Sequence, residues 1–215
     1  MTEAVVLVHG IWMTGLDLLV LRARLRGAGY AATIARYPSL RLPPRENALR
    51  VRALIDELDA DVVHLVGHSL GGLVILHMLR DDPPPRPGRV VLLGSPVHGS
   101  GVARVLSARW FTRFLIGRSG ESGLLGGGAA APDDREVGTI AGDLPVGVGR
   151  MIRGIDGPND GTVAVAETRV RGARDHVTLP VSHAGLLTAK AVAAQVQHFL
   201  QRGAFAAGTV DADTA

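Results

Sequence analysis

Val62-Val63-His64-Leu65-Val66-Gly67-His68-Ser69-Leu70-Gly71-Gly72-Leu73-Val74-Ile75 decides the reading of this chain of 215 residues. Val62 to Val66 is apolar and β-branched, as a buried strand requires, and the leucine-rich run from Leu70 has the character of a helix. Ser69 stands at the junction, with Gly67 and Gly71 two positions away on each side. Strand, sharp turn and helix around G-x-S-x-G is the setting in which that motif presents a nucleophile. The glycines have a steric reason. Strand and helix pass too close together at positions 67 and 71 for side chains, and the turn strains the serine backbone. The hydroxyl then points into open space at the positive end of a helix, where the amide of Leu70 can stabilise an oxyanion. A helix-capping serine in an ordinary α/β turn would also explain the motif taken alone. That reading demands nothing of the rest of the chain, whereas a nucleophile demands a base, an acid and a second oxyanion donor in a set order.

Outward from this stretch, strand-like runs alternate with helical patterns. Strands are expected at Val5–Val8, Ala31–Tyr37, Asp61–Gly67, Arg89–Gly94, Val137–Ala141 and His176–Pro180, and helices at Leu16–Gly27, Arg45–Leu58, Leu70–Arg80 and Ala184–Gln201. Such alternation predicts an α/β fold: about six mainly parallel strands with helices on both faces. Gly27 and Gly29 suit a helix stop, and Pro83-Pro84-Pro85 ends the helix after Ser69. One domain is expected over residues 1–202, followed by a flexible tail at 203–215. Residues 99–136 depart from the alternation and read as a crossover or short lid segment. Trp110, Phe111 and Phe114 fall within five residues there, and the glycine-rich run that follows could serve as hinges.

Composition bounds the function. A 47% apolar and 20% charged chain of this length is an ordinary globular domain. The net charge is +3, and the arginines are scattered rather than clustered, so nucleic-acid binding is not expected. Lys190 is the only lysine. Absence of cysteine excludes disulfides and thiolate metal sites. No apolar run approaches the roughly 20 residues of a membrane span, and no basic leader precedes the first one. A cytoplasmic protein is expected on that ground, with peripheral lipid contact left open and the oligomeric state unassigned.

The rest of a catalytic constellation can be sought in order. His183 follows the last expected strand and precedes the final helix, at the sheet edge where parallel folds collect reactive groups. It is the candidate base; His176 competes, but starts that strand and belongs at the opposite end. The acid should lie beyond the preceding strand, and Gly157-Pro158-Asn159-Asp160-Gly161-Thr162-Val163 offers Asp160, with Asp156, Asp143 and Asp175 as alternatives. The order Ser69, Asp160, His183 suits this class of enzyme. The second oxyanion amide is expected from Ile11, after Gly10 lets the chain turn. Trp12, His68, Trp110, Phe111 and Phe114 are expected beside the substrate.

These pieces together resemble the α/β-hydrolase superfamily, particularly compact bacterial lipases and GPI-inositol-deacylase-like esterases. The likeness rests on Val8-His9-Gly10-Ile11, Gly67-His68-Ser69-Leu70-Gly71-Gly72, Asn159-Asp160-Gly161-Thr162-Val163 and Ser182-His183-Ala184-Gly185-Leu186, and so covers almost the whole chain. It implies a Ser69, Asp160, His183 triad with Ile11 and Leu70 as oxyanion amides, and hydrolysis of an acyl or lipid-like ester through an acyl-enzyme, with no metal or organic cofactor. The chain begins at the strand carrying His9-Gly10, so the two leading antiparallel strands of larger members are not expected, nor is a large cap domain. A thioesterase, amidase or acyltransferase would share the same residues, and a non-catalytic binding module the same fold.

Overall fold

The computed structural model describes residues 2–99, 130–146 and 157–207. Strands β1 (Glu3–Val8), β2 (Ala31–Ala35), β3 (Val62–His68), β4 (Val90–Leu93), β5 (Val137–Gly142) and β6 (Asp175–Leu179) form one sheet in the order β2-β1-β3-β4-β5-β6. Every pairing is parallel. Successive side chains of a strand alternate between faces, so a sheet covered on both sides needs near-continuous apolar strands. Val6, Val8, Val63, Leu65, Val90 and Leu92 join the core under helices α2 (Pro44–Asp56) and α3 (Leu70–Asp81). Val5, Leu7, Val66, Val91, Leu93 and Ile140 join the other, under α1 (Leu19–Gly27), α4 (Gly185–Thr188) and α5 (Lys190–Arg202).

From β1 the chain winds outward to β2, then returns across β1 to β3 and continues the opposite way to β6. The reversal separates the connections leaving β1 and β3 and opens a crevice at their carboxyl ends. The loop after β1 and the turn at Ser69 both lie at this edge. The α/β fold expected from the sequence is therefore present, with the functional motifs at its switch point.

Four local differences have physical causes. The first turn of the expected helix Leu16–Gly27 is 3-10, Leu16–Leu18. The expected helix Ala184–Gln201 is two helices, because Ala189 takes an extended backbone (φ −68, ψ 136) that no local signal announces. β2 ends at Ala35, not Tyr37, whose ring stacks on His9. Residues 203–207, expected to begin a loose tail, are docked. Phe205 is buried against Phe199 with ring centroids 4.9 Å apart, its amide donates to Asp175 Oδ2 at 2.8 Å, and Gln195 brackets Ala206 with two hydrogen bonds. Residues 208–215, and 100–129 with Trp110, Phe111 and Phe114, lie outside the described residues. Among the described residues no helix is long and apolar enough to cross a membrane.

The packing of α5 on β5 yields a stability test. Phe199 is fully buried, and a Cβ on Gly138 would stand 2.6–2.8 Å from three of its ring carbons. Gly138→Ala is therefore expected to destabilise the fold by about 1–3 kcal/mol through overpacking. Urea unfolding of Gly138→Ala, Phe199→Leu and the double variant should reveal a favourable coupling between the two changes. Strict additivity would show that the contact is not the cause.

Candidate active site

Ser69 holds φ 54, ψ −121, one of two non-glycine residues with positive φ among those described. The strain is maintained from both sides: Ser69 N donates to the Leu93 carbonyl of β4 at 2.9 Å, and Gly72 N closes onto Ser69 O at 3.1 Å. Close packing requires the neighbouring glycines. A Cβ on Gly67 would lie 2.7 Å from the Gly72 backbone, and one on Gly71 only 2.1 Å from Val8 O. The serine is nearly buried at 7% exposure. Among the described residues its hydroxyl has no hydrogen-bond partner.

Asp160 and His183 form a pair. The imidazole Nδ1–H donates to Asp160 Oδ2 at 2.6 Å, and His183 N donates to Asp160 O at 2.9 Å, so backbone and side chain both fix the orientation. The carboxylate is 1% exposed. Its other oxygen accepts the amides of Thr162 and Val163 at 2.9 and 2.8 Å, which compensates for the lost water. With the Nδ1 proton engaged, Nε2 of neutral His183 is left as the basic nitrogen. Gly94, at φ +55 after β4, lies directly against this pair: a Cβ there would stand 3.1 Å from Asp160 Oδ2 and 3.2 Å from His183 Cε1. Gly142 does the same at the end of β5, where a Cβ would meet Asp160 Cβ at 2.8 Å. Sequence reasoning passed over both; the available signal was a glycine closing each of these apolar strand runs.

His68 brings the two halves together. Its Nε2 donates to the His183 carbonyl at 3.1 Å, its ring lies 4.6 Å from the His183 ring, and it is the residue before Ser69. The sequence placed it beside the substrate, but the ring is fully buried and offers a ligand no surface. It supports the His183 loop from below. Burial, then the nearby His183, hold its pKa well below the ordinary histidine value, so it stays neutral and adds no second positive charge beneath His183.

The loop after β1 is braced in a similar way. His9 Nδ1–H donates to Gly10 O at 2.8 Å, the Tyr37 ring stacks on His9 at 4.2 Å, and the Tyr37 hydroxyl donates to His9 O. Gly10 faces Ser69: a Cβ there would lie 3.2 Å from Ser69 Cβ. Among the described residues neither the Ile11 nor the Leu70 amide donates a hydrogen bond, which leaves both available. Trp12 follows with a left-handed φ of 60 and its ring 55% exposed.

The rejected alternatives lie elsewhere. His176 bonds the Thr139 hydroxyl at 2.6 Å, and Asp175 accepts the amides of His176 and Phe205. Asp143 is exposed, and Asp156 lies outside the described residues.

Residues 5–207 match the model of the alpha/beta hydrolase family. Among solved structures, the propeptide form of a lipase from Bacillus licheniformis superposes with a TM-score of 0.83 at 21% identity, covering 97% of this chain and 52% of that one. The mature form of that lipase gives 0.76 at 20% identity, with 93% and 91% covered. A metagenomic carboxyl esterase gives 0.63 at 20% identity, with 85% and 64% covered. This chain thus spans about half of the propeptide form, and at such identities the likeness is one of fold. Comparison with curated protein sequences finds no match.

Four imidazoles, His9, His64, His68 and His176, have pKa values lowered chiefly by burial. Unfolding returns each to the ordinary range, so below about pH 6.5 the unfolded chain takes up protons that the folded chain refuses. Stability is complete above that pH and falls as pH drops toward the folded values, with fully buried His68 contributing up to about 1.4 kcal/mol per pH unit. Unfolding free energies from urea titrations between about pH 7.5 and 5.5 should fall accordingly. The slope should be shallower in His68→Gln; equal slopes in the two proteins would contradict this assignment.

Proposed function

The chain belongs to the alpha/beta hydrolase family, and we propose that it hydrolyses carboxylic esters through an acyl-enzyme, with Ser69 as nucleophile, His183 as general base and Asp160 as its orienting acid. The observation that carries this reading is the Asp160–His183 pair, joined at 2.6 Å and held through His68 next to the strained Ser69. A carboxylate buried to 1% exposure and bound to one imidazole nitrogen fixes the tautomer whose other nitrogen can accept a proton.

In the first half-reaction Ser69 Oγ attacks the ester carbonyl while His183 Nε2 removes its proton. The carbonyl oxygen gains negative charge, which the amides of Ile11 and Leu70 stabilise from a rigid backbone. His183 then gives the proton to the departing alkoxide, leaving an ester on Ser69 and an alcohol. Water, deprotonated by His183, attacks that ester; the returning proton releases the carboxylic acid and restores the serine. Asp160 stabilises the imidazolium present in both steps. The two amides belong to the loop after β1 and the first turn of α3, which meet at backbone contact distance, and losing one such donor typically costs about a hundred- to a thousand-fold.

A fluorophosphonate label mapped by mass spectrometry is expected on Ser69. Turnover of p-nitrophenyl butyrate should fall by about 10⁴-fold or more in Ser69→Ala and about 10³–10⁴-fold in Asp160→Asn, with little change in the thermal midpoint of either. Undiminished turnover by Ser69→Ala, or labelling at another residue, would overturn the assignment.

A further inference from the structure

Beside the oxyanion loop lies a solvent-open pocket of about 790 Å³, a size suited to a small ligand, between the loop after β1 and the loop after β2. Its walls combine two chemistries. Trp12, Met13, Leu16 and Leu40 supply apolar surface; Trp12 is 55% exposed and Leu16 61%. Arg36 and Arg41 line the same pocket, and among the described residues neither guanidinium has an ion-pair or hydrogen-bond partner. Among the described residues no carboxylate lines it. Asp17, whose charge reaches His9 and Tyr37, is not on its wall.

The pocket is also near the nucleophile. Met13 Sδ and Ser69 Cβ each lie 3.2 Å from the point where a Gly10 Cβ would stand, so the two atoms are no more than twice that distance apart. Trp12, on the same wall, holds a left-handed backbone, and strain of this kind in a non-glycine residue concentrates at ligand sites. An indole and leucines that present apolar surface to water, next to two cations without counter-charges, have the composition of a subsite for an amphiphilic anion.

We propose that this pocket selects esters carrying a carboxylate or phosphate on an apolar arm, the apolar part lying on Trp12, Leu16 and Leu40 and the anion between Arg36 and Arg41. This rests on the reading of Ser69 as the nucleophile of an ester hydrolase. It adds a substrate class, since the family fold and the triad are indifferent to charge at a distance from the scissile bond. The arginine forks suit two-oxygen recognition of either anion. Both guanidinia are exposed, so the selectivity should weaken as salt screens it.

Binding tests the pocket without turnover. In Ser69→Ala carrying Trp110→Phe, Trp12 is the sole tryptophan, and its fluorescence reports occupancy. Hexanoate and hexyl phosphate are expected to bind about tenfold more tightly than 1-hexanol. The advantage should be lost in Arg36→Gln/Arg41→Gln, restored in Arg36→Lys/Arg41→Lys, and reduced by high salt. Equal binding of hexanoate, hexyl phosphate and hexanol, or an anion advantage that survives the glutamine variant, would overturn the proposal. Which of the two anions binds better distinguishes a carboxylate from a phosphate ester.

Kinetics supplies the second arm. For the otherwise unaltered enzyme, kcat/KM for p-nitrophenyl hydrogen glutarate over p-nitrophenyl pentanoate tests an anion on the acyl side. The same ratio for 4-butyryloxybenzoate over its methyl ester tests the alcohol side. At least one ratio should fall about tenfold in Arg36→Gln/Arg41→Gln, mainly through KM. If pentanoate is hydrolysed at Ser69 and neither ratio responds, the substrate class is wrong and the ester-hydrolase reading survives. If arginine-dependent anion binding is found but no ester is turned over, the reverse holds.

Discussion

The first turn of α3 crosses the end of β1 at backbone contact distance, and the rest of the site depends on that crossing. Only glycine permits it, because a Cβ at Gly71 would overlap Val8 O and another at Gly67 would overlap the Gly72 backbone. The crossing fixes the backbone at Leu70 relative to the loop that carries Ile11, and the proposed oxyanion site takes one amide from each. Donors held this way need no reorganisation when charge develops. The cost is a serine in a sparsely populated conformation, on the order of 1–3 kcal/mol. It is sustained by the bond from Ser69 N to Leu93 O and by the fully buried Leu70, Val74 and Ile75 of the same helix.

Buried polar side chains do the second part of the positioning. Asp160, His68 and His9 are each almost wholly removed from water; Asp160 and His9 bond backbone of their own turns, and His68 bonds the His183 carbonyl of a neighbouring loop. In a low-dielectric interior such bonds orient strongly and the cost of leaving a partner unmet is high. Neutrality matters as much as geometry. Burial lowers the pKa of both His9 and His68 and so favours their neutral forms near the Asp160–His183 pair.

The parts of this arrangement visible in the sequence are those that local covalent rules dictate. G-x-S-x-G encodes a steric requirement within five residues, and Asn159-Asp160-Gly161 encodes a turn, so Ser69 and Asp160 stand out before any fold is known. His183 stands out because parallel sheets gather loops at one edge. The missed features are tertiary. Nothing local says that His68 turns beneath His183, or that its neighbour Ser69 is itself buried. The helix break at Ala189 lies in a sequence with good helical propensity, and the docking of Phe205 depends on Phe199 having been brought alongside by α5.

The arginine pair illustrates why composition misleads at the scale of a site. With 23 basic residues spread along the chain, no cluster is visible in sequence, and the net charge of +3 is small. Several of these cations have carboxylate or carbonyl partners, as Arg89 has Glu136 and Leu200 O, and such paired charges contribute little field at a distance. The proposed selectivity depends on two cations that have no such partner among the described residues. Arg36 and Arg41 flank Tyr37, the residue that braces His9 and therefore the oxyanion loop. On the proposed mechanism the same short segment after β2 both braces the loop that carries Ile11 and places two cations at the pocket. On that proposal, an anion held between the two guanidinia lays its apolar arm over Trp12, next to the loop that carries Ile11.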